Sequence, residues 1–254
     1  MQFSIQKWLR ISFFNLILIA SLGVILRYKI VFSLPFIDQK HWLQAHSHFA
    51  FSGWISQTLM VCMVSFLAQH GLKNAFQKYH RMLLFNLISA YGMLLCFPFQ
   101  GYGLFSISFS TFSIFTSYYF TWMFWNDLKN EKVNEIASSW FKAALMLNII
   151  SSIGAFTLAY MMANKIVHQN WYLAAVYFFL HFQYNGWFFF ACSGLWFSKI
   201  KRMQINTANE KSIFWLFAVA VVPCYLLSTL WMEFGPVVYW LVVIAAFVQV
   251  LALI

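Results

Sequence analysis

Charge is what this 254-residue sequence lacks most. Asp, Glu, Lys and Arg make up 9% of it, where a soluble globular chain carries about a quarter. That shortage excludes an ordinary soluble fold, because too few charges remain to clothe a water-facing surface. Acidic residues are scarcest, six against sixteen Lys and Arg. Such an excess elsewhere points to nucleic acid; here the basic residues sit in short loops, so they read as topology signals and no nucleic-acid partner is expected. The four cysteines, Cys62, Cys96, Cys192 and Cys224, lie in apolar runs without a CxxC pair. They read as small hydrophobes. The first apolar run is too long for a cleaved leader and lacks a small-residue cleavage site, so it reads as a span.

What is present is apolarity, 62% of the chain. Crossing a bilayer takes about twenty apolar residues. Eight runs qualify: Ile11 to Val31, His46 to Gln69, Leu83 to Phe99, Leu104 to Trp125, Phe141 to Met162, Trp171 to Phe197, Ile213 to Trp231 and Val237 to Ile254. The expected fold is all-α, a polytopic transmembrane bundle of about eight helices forming one domain over 1–254, with the lipid bilayer as its solvent. Twelve basic residues fall at the N-terminus and in even-numbered loops, four in odd-numbered loops. The positive-inside rule then places the N-terminus in the cytoplasm. No basic residue follows the last run, which suggests the N-terminal part of a longer subunit.

Local signals refine this plan. Pro35 closes the first outer loop, and Asp38 is a candidate N-cap for a helix starting near Gln39. The third run is short, ending at Pro98, and a minimal turn should pair it with the fourth. The fourth holds Ser106, Ser108, Ser110, Thr111, Ser113, Thr116 and Ser117, which suit helix packing better than a polar path. Trp42, Trp54, Trp125, Trp140, Trp171 and Trp231 fall near run ends, as an interfacial belt would have them.

Two stretches carry the candidate chemistry. In Ala45-His46-Ser47-His48-Phe49-Ala50-Phe51-Ser52-Gly53-Trp54 a pair of imidazoles opens an apolar helix, and an intramembrane histidine marks a functional site by default. Residues two apart on a helix point about 200° apart, so only one of His46 and His48 looks into the bundle. His48 shares a stripe with His41, Gln44 and Ser52; His46 shares one with Ala50, Gly53 and Gln57. Gly53 permits close approach of a helix or a flat cofactor. The second stretch places His181 at mid-membrane with Tyr184 and Asn185 three and four residues on, hence on one face. Three polar groups there must be satisfied by a cofactor, a proton relay or one another. His70, His80 and His168 fall at interfaces and read as solvated.

The first stretch resembles the second helix of the haem-copper oxidase subunit I superfamily, nearest its nitric oxide reductase branch. The resemblance implies haem b bound through His48 first and His46 second, with Arg27 placed to meet a propionate. His181-Phe182-Gln183-Tyr184-Asn185-Gly186 resembles the family's sixth helix, which implies a metal ligand in His181. The seventh run, Ile213 to Trp231, lacks the two histidines that the family's copper or non-haem iron needs. Asn185 stands where the reductases have glutamate, and the family's remaining helices are absent. The implied protein is a degenerate or truncated relative in the bacterial cytoplasmic membrane. It would serve electron transfer or gas sensing with respiratory-type subunits or an electron donor, its oxidoreductase chemistry incomplete. The competing expectation is a non-haem transporter or assembly subunit with a buried His/Tyr/Asn network.

Overall fold

A computed structural model describes residues 4–133, 135–205 and 209–253. Eight helices and no strand occur among the described residues. They are α1 (Ile5–Val31), α2 (Gln39–Gln69), α3 (Ala75–Gln100), α4 (Leu104–Asn130), α5 (Ile136–Ala163), α6 (169–202), α7 (Glu210–Met232) and α8 (Pro236–Leu251). Each expected run lies on one of these helices; Ile254, the end of the eighth run, falls outside the described residues. Five helices, α1, α2, α3, α5 and α7, are long and apolar enough to cross a membrane. In α4 the seven hydroxyl residues from Ser106 to Ser117 dilute the apolar content.

Helix ends follow local chemistry. The Asp38 side chain accepts from the His41 backbone N–H at 2.8 Å, so α2 begins at Gln39 as expected. The third helix differs from expectation, running 26 residues with Pro98 inside its last turn. Its first two turns carry Gln77, Lys78 and Arg81, which lower hydropathy without breaking a helix. The fourth-helix hydroxyls mostly turn back on local carbonyls, as Ser108 does to Leu104 and Thr116 to Phe112.

The chain divides into two compact units, 1–133 and 134–254. The charged turn around Glu131 and Lys132 marks the division. Each unit holds four helices in the same order, and the second helix of each contains a π-helical turn, Ala50–Ser56 in α2 and Phe182–Phe188 in α6. The residues at these turns repeat. His48-Phe49-Ala50-Phe51-Ser52-Gly53-Trp54 matches His181-Phe182-Gln183-Tyr184-Asn185-Gly186-Trp187, with His, Phe, Gly and Trp identical and an aromatic and a small polar residue between. The joints repeat too. Asn74 and Asn209, both left-handed, cap the third helix of their units. Gly101-Tyr102-Gly103 and Glu233-Phe234-Gly235 lead into the fourth, each starting at φ 55°. Matching features at matching spacing are the mark of a repeated four-helix plan.

In the first unit Phe49 packs against Ile19 and Ala90, and Ala45 against Met93 and Phe97. In the second, Trp140 is 1% exposed and stacks on Phe197 at 5.5 Å with Phe214 edge-on. Trp140 is therefore core and not part of an interfacial belt, because aromatic partners surround it on α6 and α7. Gly186 lets α5 approach α6 closely: a Cβ there would lie 2.8 Å from Leu147 Cβ.

Gly186→Ala is expected to destabilise the second unit by about 1–3 kcal/mol through overpacking against α5, read from thermal unfolding in detergent. Asp38→Ala should lower the unfolding midpoint, with Asp38→Ser retaining most of the cap. The His41 backbone bond holds the Asp38 carboxyl below its ordinary value. Its contribution is thus full above that ordinary value, near 4, and fades as pH falls below it. A midpoint deficit that persists unchanged at pH 3 would contradict the cap assignment.

Candidate functional site

The two histidines of α2 diverge, as their spacing requires. His48 turns toward α3 and the turn that follows it. Its ring stacks on Phe97 at 4.4 Å and 18°, its Nε2 shares a 3.1 Å hydrogen bond with the Tyr102 hydroxyl, and its Nδ1 meets Ser110 Oγ at 3.5 Å. His41 and Gln44 lie against Gly101 in the same turn, so the expected His41-Gln44-His48 stripe is present. His46 turns the other way, to α1. Its Cε1 lies 3.4 Å from where a Gly23 Cβ would stand. His46 Nδ1 is buried with no hydrogen-bond partner. Arg27 is exposed, four residues beyond Gly23 and so on the same face of α1.

The π turn after these histidines is held by amides from neighbouring helices. Asn15 on α1 donates to the Gly53 carbonyl at 2.5 Å and accepts from the Tyr91 hydroxyl at 2.6 Å. Asn86 on α3 donates to the Ser52 carbonyl at 3.0 Å and to Gln57 Oε1 at 2.8 Å. A π turn breaks the regular ladder and occurs often at functional sites. Here it also moves Gln57 off the His46 stripe and onto α3, where it is fully buried.

In the second unit His181 is 6% exposed. Its Nε2 reaches the Val221 carbonyl at 2.7 Å, and its Nδ1 meets Asn185 Nδ2 at 3.2 Å. A carbonyl only accepts and an amide nitrogen only donates, so the proton sits on Nε2 and the Nδ1 lone pair is taken. Both nitrogens are thereby engaged within the protein. Asn185 joins His181 as expected, but Tyr184 does not. It is 50% exposed and packs its ring against Phe188. The widened π turn keeps the residue four along on the histidine's face and swings the residue three along away. Gln183 instead supplies a second buried cluster, donating to Asn148 at 2.8 Å and Ser151 at 2.7 Å. Asn148 thus engages the π turn from the first helix of its unit, as Asn15 does in the other.

No group of three His, Cys, Asp or Glu suited to a metal occurs among the described residues. None of the four cysteines forms a disulfide among the described residues. Of the interfacial histidines, His70 bonds the Phe66 carbonyl, and His168 caps α6 by accepting from Trp171 N–H.

A further cluster escaped the sequence reading. Asp127 near the end of α4 is 2% exposed and receives Lys78 Nζ at 2.5 Å and the Tyr79 hydroxyl at 2.9 Å. The available signal was one acid inside an aromatic helix end, Trp125-Asn126-Asp127, since a buried carboxylate requires a partner.

No protein-family model, curated protein or solved structure matches this chain. Its chemistry must be argued from its own geometry.

Asp127→Ala would strand Lys78 and Tyr79. Lys78 keeps access to water, so the expected loss is about 1–3 kcal/mol, below that of a fully buried pair. Thermal unfolding of the variant beside a Lys78→Ala, Asp127→Ala double variant reads the coupling, and strict additivity of the two changes would deny the pair.

Proposed function

We propose that this chain is an integral membrane protein of eight spans, N-terminus in the cytoplasm, that binds haem b on the His46 face of its second helix and serves electron transfer or gas sensing. One observation carries the reading. Of the four ring nitrogens in the His-x-His pair, His46 Nδ1 alone is buried without a partner. A buried imidazole nitrogen left over in this way suits a metal. Gly23 makes room for the His46 ring against α1, and Arg27 on that face carries no ion pair among the described residues. Haem bound there supplies one-electron chemistry at the iron. The protein's part is to hold the iron through His46, to meet a propionate with Arg27 and to keep the π turn rigid through Asn15. Respiratory-type subunits or an electron donor would be its partners, and the expected location is the bacterial cytoplasmic membrane.

His48 and His181 do not enter this site as ligands. Their nitrogens are spent on Tyr102, Ser110, Val221 and Asn185. That same observation favours the second reading, a non-haem transporter or assembly subunit in which the repeated histidines are hydrogen-bonded nodes.

Visible spectra of the detergent-purified protein, oxidised and dithionite-reduced, separate the two. A haem b α-band is expected, lost in His46→Ala and kept in His48→Ala. A colourless protein from a haem-replete host would overturn the haem reading and leave the second.

A further inference from the structure

A cleft in the first unit lies where the start of α3 meets the end of α4, with His80 in its lining. It has a volume of about 1490 Å³, above the roughly 300–1,000 Å³ of an ordinary small-molecule pocket. Its mouth is basic. Lys73, Lys78 and Arg81 line it, and the one acid there, Asp127, is already paired with Lys78. Among the described residues neither Lys73 nor Arg81 has an ion pair, and both are exposed. The start of α3 adds to this field. Asn74 caps it in a left-handed conformation without a side-chain hydrogen bond, its carbonyl accepting from Gln77 and Lys78 N–H, and the helix start contributes a partial positive charge.

The other end of the cleft is aromatic. Tyr119 and Trp122 stack at 5.9 Å and 18°, and are 47% and 63% exposed. Trp122 lies eight residues before the end of α4, roughly 12 Å deeper along the helix axis. The basic residues thus line the α3 side of the cleft and the exposed aromatic rings its α4 side. Free phosphate would account for the basic mouth and leave the aromatic wall idle. A ligand with a negative head and an apolar body uses both.

We propose that this cleft binds an anionic phospholipid of the cytoplasmic leaflet. Its phosphate lies between Lys73, Arg81 and the start of α3, and its upper acyl chains lie along Tyr119 and Trp122. Basic pockets between membrane helices on the cytoplasmic side are where such headgroups bind. The inference shares the membrane reading above but owes nothing to haem.

The test uses the purified full chain in detergent with phosphatidylglycerol or phosphatidylcholine as probe, retention being read by native mass spectrometry. Phosphatidylglycerol should be retained in preference. Near an anionic surface each basic residue is worth roughly fivefold, so Lys73→Gln, Arg81→Gln together should weaken retention by about 25-fold. The conservative pair Lys73→Arg, Arg81→Lys should keep it. Lys129→Gln, Lys132→Gln removes equal charge outside the cleft and should change retention less than twofold. Trp122→Ala should weaken retention while leaving charge intact. Equal loss in both neutralised pairs, or no preference for phosphatidylglycerol, overturns the site. Inorganic phosphate that displaces the lipid at millimolar concentration, with Trp122→Ala silent, would make it a site for free phosphate and overturn the lipid assignment. Spectra of the same preparations report the haem reading separately, so either can fail alone.

Discussion

A helix that widens into a π turn in apolar surroundings must find new partners for the carbonyls it releases, since no water is there to take them. In the first unit Asn15 and Asn86 meet that requirement, one from each neighbouring helix, at Gly53 and Ser52. Much follows from these bonds. They fix the rotation of α2, which sends His48 into the unit and His46 to α1, and they bring Gln57 and Tyr91 into one connected polar cluster. The cluster is worth more as a positioning device than as stability, because each neutral hydrogen bond contributes only about 1 kcal/mol net.

The second unit solves the same problem with different residues. Asn148 again reaches the π turn from the first helix, but it meets the side chain of Gln183 where the first unit has Ala50. His181 turns to α7 and finds a backbone carbonyl, while His48 stacks on Phe97 of α3, the corresponding third helix. One plan has diverged at its centre and kept its frame. The frame is His, Phe, Gly and Trp at fixed spacing, with left-handed asparagines at the third helices. Only the first unit pairs its histidine with a second one two residues earlier, and that extra residue is the one left with an unbonded nitrogen.

The two polar regions of the first unit also differ in kind. Around the π turn most named groups are matched inside the protein, His46 Nδ1, Gln44 Oε1 and Gln57 Nε2 being the exceptions. At the cleft between the start of α3 and the end of α4, Lys73 and Arg81 are exposed, and the acid that lines it, Asp127, is paired with Lys78. A closed network favours one conformation; an open basic cleft favours a ligand.

The sequence by itself determined the eight helices, the start of α2 at Asp38 and the divergence of His46 from His48. These rest on apolar run length, a capping carboxylate and helical angle, all local properties. The repeat was also written in the residues from His48 and from His181, though it becomes plain only when matching joints flank both. Tertiary structure alone decided which histidine of the His-x-His pair keeps an unbonded buried nitrogen, because that depends on Tyr102 and Ser110 from distant segments. It also decided the loss of Tyr184 from the His181 face. A periodicity of 3.6 places residues three and four along together, and the π turn that separates them is held by packing and amide bonds that no local window contains. The same holds for the pairing of Asp127 with Lys78, 49 residues apart in sequence. A buried charge announces that it needs a partner, and only the fold names the partner.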